Sequence, residues 1–206
     1  RDTLYWFETT NSTNDRAKEL AKNGAPQGTV LIAGQQTGGR GRMGRSFHSP
    51  DGSGIYLSVI LHPDCPASRL MHLTCATGVA MCSAMEAASR IVPGIKWTND
   101  LVCGRKKLGG ILTELSLEPN GNVRYAVVGI GINCTQQTED FPEDIRHIAT
   151  SLAMVTGQRV SRSTVAVEMI RALEQMSRDL LPQQTSIMDA YRKPCITVGQ
   201  EISINN

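Results

Sequence analysis

The sequence predicts an α+β fold, in which helices lie on a mixed, largely antiparallel sheet. Three observations point there. "TVLIAGQ" (29–35) and "GIYLSVIL" (54–61) read as buried strands joined by a long glycine-rich loop instead of a helix. "PNGN" at 119–122 is a hairpin signal ahead of "VRYAVVGIGINC", and strands joined by tight turns pair antiparallel. Two segments, 68–90 and about 161–181, are long enough for helices that cover a sheet.

Each element has a local reason. In "NSTNDRAKELAKNG", Asn11 or Ser12 can cap a helix, Asp15 sits in its first turn, Ala17, Leu20 and Ala21 share a face, and Gly24 ends it. Residues 68–90 are dense in Ala, Met, Cys and Ser, small enough for close packing. "GIKWTNDLVCGRKKLGGILTELSLEP" alternates strand and turn up to the hairpin. The last helix presents Val165, Met169, Ala172, Leu173, Met176 and Leu180 on one side. The chain opens on Arg1 and stops at "TVGQEISINN", read as a strand after a Gly–Gln turn, so a further C-terminal piece is expected.

At 206 residues, 40% hydrophobic and 19% charged, the composition is that of a soluble globular domain. A net charge of +2 exerts no global pull on nucleic acid or membrane, so any basic function must be local. The cysteines at 65, 75, 82, 103, 134 and 195 form no C-x-x-C and no Cys/His ligand spacing. They read as reduced, mostly buried thiols of a cytoplasmic protein, and no apolar run approaches the length of a membrane span.

The stretch "GGRGRMGRS" (38–46) carries the chemistry. From Gly39 it nearly fits a P-loop, with Arg45 in place of the lysine, but turn-rich "SFHSPDGSG" follows where a P-loop needs a helix. What remains is physical: Gly38, Gly39, Gly41 and Gly44 let amides approach a ligand, and Arg40, Arg42 and Arg45 offer forked donors for phosphate. So glycine-rich a loop is expected to order only around its ligand. "KWTND" (96–100), the paired glycines of "KLGGIL" (107–112) and Gly129 and Gly131 of "VVGIGINC" mark three segments expected to line one cleft with Lys107. His48, His62, His72 and His147 pair with no nucleophile motif, and neither G-x-S-x-G nor H-E-x-x-H occurs. Cations, amides and glycines without a nucleophile suit phosphoryl or nucleotidyl transfer between bound substrates.

These motifs resemble those of the biotin protein ligases. The family's G-R-G-R-x-G-R followed by an aromatic is met by "GRGRMGRSF" (39–47), its K-W-P-N-D by "KWTND", its K-x-x-G-I-L by "KLGGIL", its G-x-G-x-N by "GIGIN" (129–133), and its S-T-N by Ser12, Thr13 and Asn14. Thr98 replaces the proline and Phe47 the usual tryptophan. The resemblance implies a fold like the class II aminoacyl-tRNA synthetase catalytic domain over 1–190, with 191–206 opening an SH3-like barrel. It implies that biotin and Mg-ATP give biotinyl-5′-AMP and pyrophosphate, after which a lysine of a biotin carboxyl carrier domain takes the biotin. Lys107, Arg40, Arg42 and Asp100 would be catalytic, Asp100 helping to deprotonate the acceptor lysine. Ser12, Thr13, Asn14, Gln36, Gly41 and Gly110 would join Arg40, Arg42 and Lys107 around biotin. Arg45, Phe47, Lys96, Trp97, Asn99, Gly131 and Asn133 would join Arg40, Arg42, Asp100 and Lys107 around the adenylate, with Mg2+ arriving on ATP and no direct protein ligand assigned. Family members often pair through their sheets, so a homodimer is in view, and no DNA-binding helix-turn-helix is expected within this chain. The rivals are lipoate protein ligase, whose glycine-rich signatures differ, and a noncatalytic RNA-binding module using the arginine loop.

Overall fold

The computed structural model describes residues 3–179 and 184–200. In chain order the elements are β1 (Leu4–Thr10), α1 (Thr13–Lys22), β2 (Val30–Gln36), β3 (Gly54–Leu61), α2 (Leu73–Ser89), β4 (Gly94–Lys96), β5 (Asp100–Cys103), β6 (Lys106–Leu117), β7 (Val123–Asn133), α3 (Glu143–Arg146), α4 (Leu152–Thr156), α5 (Arg162–Asp179) and α6 (Gln184–Arg192). The strands form one seven-stranded sheet in the order β1-β2-β3-β7-β6-β5-β4. All neighbours are antiparallel except β1 and β2, whose connection runs through α1. The mixed, largely antiparallel architecture is therefore as expected.

Period-2 alternation gives the sheet two unlike faces. Val30, Ile32, Ile55, Leu57, Val59, Val128, Ile130 and Ile132 point to α2, α5 and α6 and form the main core with Leu73, Met81, Met85, Val165 and Met169. The residues between them face α1, where Leu31, Ile60, Tyr125 and Val127 meet Ala17 and Ala21 in a smaller cluster. α5 buries Val165, Met169, Leu173 and Met176 as its spacing requires, whereas Leu180 lies outside the described residues.

Some boundaries differ from the sequence reading. The helix expected over 68–90 is α2 alone, because Ala67–Leu70 behind Pro66 forms a separate 3-10 turn. β1 and α6 carried no recognised signal: β1 is an edge strand exposed along most of its length, so no buried stripe marks it. Ser12 stands at the N-cap of α1 as expected, yet its hydroxyl does not cap the helix. Thr197–Gly199 is turn, and the strand expected beyond Gln200 lies outside the described residues. The segment before it seats on β4 through Ile95 N to Pro194 O and Ile196 N to Ile95 O.

All six cysteines are free thiols, five of them buried. Burial pushes Cys82 and Cys134 up to about 12. Thiol counting with Ellman's reagent at pH 8 should leave both unreacted in the folded chain and release them on unfolding in guanidinium; reaction of either without unfolding would contradict this packing. No described helix is long and apolar enough to cross a membrane.

Candidate active site

The face of the sheet toward α1 is where the site forms, because glycines replace side chains there. The register sets Ser58 opposite Gly129, Tyr56 opposite Gly131, Gly110 opposite Gly131 and Leu112 opposite Gly129. A Cβ on Gly129 would lie 2.1 Å from Asn14 Oδ1, and one on Gly131 only 2.4 Å from the Phe47 ring. These glycines are what let α1 and the arginine loop come down onto the strands.

The first wall is a polar network built from α1, β2 and β3. Gln36 Oε1 accepts from the Thr13 amide at 2.8 Å and from Thr13 Oγ1 at 3.1 Å, and its amide nitrogen donates to Ser49 Oγ at 3.0 Å. Ser58 Oγ stands 2.8 Å from Thr13 Oγ1 and 2.7 Å from Asn14 Oδ1, one proton serving two acceptors. Asn14 donates to Leu112 O at 3.2 Å and to Glu114 Oε2 at 2.8 Å. Buried to 4% exposure, Asn14 uses both ends of its amide on protein groups, so it is a clamp between α1, β3 and β6 more than a ligand contact.

The opposite wall is cationic. Lys107 Nζ pairs with Asp100 Oδ1 at 2.7 Å and lies 6.0 Å from the centre of the Phe47 ring. Its main chain is gripped by a neighbouring loop, N to Ile148 O at 2.6 Å and O from Thr150 N at 2.9 Å. Gly110 sits beneath, where a Cβ would touch Lys107 and Asp100 at 3.4 and 3.6 Å.

Arg40 closes the site. Its Nη2 pairs with Asp15 at 2.7 Å and Glu114 at 2.9 Å, and Lys18 bridges the same two carboxylates at 2.9 and 3.1 Å, making a ring of alternating charge. Burial works to lower the Lys18 pKa, but hydrogen bonds to Asp15 and Glu114 outweigh it and hold the ammonium above its ordinary value. Arg42 Nη1 donates to Thr98 Oγ1 at 2.6 Å. Within the arginine loop Phe47 N donates to Gly39 O and Gly41 N to Arg45 O, and the Arg40 ion pairs tie it to α1 and β6. No helix follows it, so it is not a P-loop.

Two spaces adjoin. An inner cavity of about 40 Å³ is lined by Ser12, Thr13, Asn14, Gln36, Arg40, Gly41, Phe47, Asn99, Lys107, Gly110 and Gly131, and shares Asn99, Ile111 and Leu112 with an outer cleft of about 410 Å³ that reaches Arg42, His72, Trp97 and Thr98. A larger hollow, about 1020 Å³, lies between α4 and the start of α5 and holds none of the motif residues. Size alone would mislead; the convergent polar groups mark the inner cavity.

Most residues singled out in the sequence therefore meet here, and three do not. Lys96 and Arg45 are exposed and line neither space. Asn133 is buried at the end of its strand, donating to Thr150 O at 2.9 Å and accepting from Gln136 at 3.3 Å; it supports the loop that grips Lys107. Ser58 and Glu114 were not foreseen. Their signals were faint: one hydroxyl inside "GIYLSVIL", and one charge in "ILTEL" on the same alternation as Gly110.

Comparison with known proteins agrees with this geometry. Residues 6–133 match the Biotin/lipoate A/B protein ligase family. The chain is 43% identical over 178 residues to the bifunctional ligase/repressor BirA of Bacillus spizizenii, covering 86% of this chain and 54% of that protein. It is 32% identical over 200 residues to the biotin–acetyl-CoA-carboxylase ligase of Mycobacterium tuberculosis, covering 95% and 71%. The chain thus spans about half the length of the BirA relatives it matches. Among solved structures, the biotin protein ligase from Aquifex aeolicus in complex with biotin and ATP superposes with a TM-score of 0.79 at 30% identity, over 98% of this chain and 82% of that one. On the extent of these matches, the chain belongs to the Biotin/lipoate A/B protein ligase family.

Proposed function

We propose that this chain is the catalytic part of a biotin protein ligase, making biotinyl-5′-AMP from biotin and ATP and passing biotin to a lysine of a biotin carboxyl carrier domain. The observation that carries it is the convergence on one cavity of an amide-and-hydroxyl wall, Lys107 and Arg40. Ser12, Thr13 and Gln36 offer the donors and acceptors a ureido ring needs. Lys107 would hold the biotin carboxylate against the α-phosphorus. One carboxylate oxygen attacks phosphorus, the bond to pyrophosphate breaks, and Arg40 and Arg42 balance the negative charge that builds up. The nucleotide would lie in the outer cleft, beside Trp97 and Asn99. Phe47, whose ring now fills the space over Gly131, would swing out to admit the ligand. In the second step the acceptor amine attacks the acyl carbon, AMP leaves, and Asp100 would take the proton.

Mg2+ would neutralise phosphate charge as the nucleotide's counter-ion. Among the described residues there is no group of three or more His, Cys, Asp or Glu side chains that could hold a metal ion. In the same reading the chain is cytoplasmic, assembles as a homodimer, and continues past about residue 190 into a small β-barrel.

Calorimetric titration with biotin, then lipoate, beside a nonhydrolysable ATP analogue tests the reading. Saturable biotin binding with no lipoate heat is expected. Lipoate binding alone would move the chain to the family's other branch, and silence with both would overturn it.

A further inference from the structure

Arg40 is attached to the protein through Nη2 only. Both carboxylates of its seat, Asp15 on α1 and Glu114 on β6, take that one nitrogen, and Nε and Nη1 have no protein partner among the described residues. Arg40 lines the cavity that also holds Lys107. A guanidinium anchored at one corner keeps its remaining donors oriented for a second anion, and a flexible arginine must surrender rotamer freedom to do the same. Glu114 is itself held from two further sides, by Asn14 Nδ2 at 2.8 Å and by Lys18 Nζ at 3.1 Å on its other oxygen. The seat is thus tied to the clamp that fixes α1 on the sheet.

We propose that Glu114, with Asp15, is a positioning residue: the two carboxylates fix Arg40 by one edge so that its free edge meets the anionic centre of the bound substrates. The inference rests on the adenylation reading above, yet its geometry concerns the protein alone. Neither carboxylate touches substrate; each acts through Arg40. Lys18 completes the ring and keeps the two acids from repelling each other.

The test uses Glu114→Gln and Asp15→Asn, singly and together, in the full chain. Glutamine keeps an acceptor for Asn14 and nearly the same volume, so packing is preserved while the charge is lost. Trypsin cleavage after Arg40, Arg42 and Arg45 reads loop fixation directly, with no ligand. We expect severalfold faster nicking in the double variant at an unchanged Tm. In pyrophosphate-release assays of adenylation, kcat should fall about threefold to tenfold, the range set by immobilising one long side chain, while biotin KM stays within about twofold. The two single variants should not add, since both hold the same nitrogen. Equal nicking with unchanged kcat overturns the seat, as does a kcat loss matched by a falling Tm. If the wild-type chain takes no biotin and the nicking still differs, the substrate reading fails and the seat stands.

Discussion

Lys107→Ala should abolish adenylate formation, lowering kcat by about a hundredfold to a thousandfold, while the chain folds as before. The Lys107–Asp100 pair is part-exposed, with side-chain exposures of 37% and 26%, and pairs of that kind contribute at most about 1 kcal/mol. The strand itself is held by main-chain bonds to Ile148 and Thr150 that alanine retains. The lysine is therefore dispensable to the fold and, on the proposed reaction, indispensable to the chemistry. Pyrophosphate release with biotin and ATP, set beside a melting curve, reads both. Activity within tenfold of wild type would remove Lys107 from the mechanism.

Asn14→Ala should do the reverse and strike stability first. Its amide joins α1 to Ser58 on β3 and to Leu112 and Glu114 on β6, with Asn14 itself only 4% exposed. Alanine leaves the Leu112 carbonyl and the Ser58 hydroxyl without that partner, above a strand glycine that cannot fill the gap. Unsatisfied buried groups of this kind give a loss of roughly 2–4 kcal/mol, or about 5–15 °C in Tm for a chain of this size. Denaturant unfolding measures it. A loss below about 0.5 kcal/mol would show that the clamp is ornamental and that Asn14 was free for biotin after all.

Much of this was legible in the sequence because it is written in local terms. The hairpin at Pro119–Asn122, the apolar run of β3 and the helix start at Ser12 each depend on a few adjacent residues. The glycines of "KLGGIL" and "VVGIGINC" also announced close approach, though only the structure shows that the approaching groups are Asn14 and Phe47 of the protein itself. What stayed hidden depends on tertiary placement. Glu114 looks like any strand carboxylate until α1 and the arginine loop bring Asn14, Lys18 and Arg40 to it. Asn133 carries a motif position yet lines neither space, because as the last residue of β7 its amide is spent on Thr150 and Gln136. β1 was missed since an edge strand has no buried face to betray it.

The two unlike faces of the sheet also govern what sequence change can do. Along β7, Val128, Ile130 and Ile132 belong to the main core and Gly129 and Gly131 to the site, so neighbouring residues answer to different demands. From Val128 to Ile132 the even positions hold the main core together, and the odd positions 129 and 131 make room for α1, the arginine loop and a ligand. A drifting sequence can therefore exchange aliphatics on one parity, keeping volume, without disturbing recognition on the other. Substrate choice and thermal robustness can evolve on the same strand as nearly separate traits.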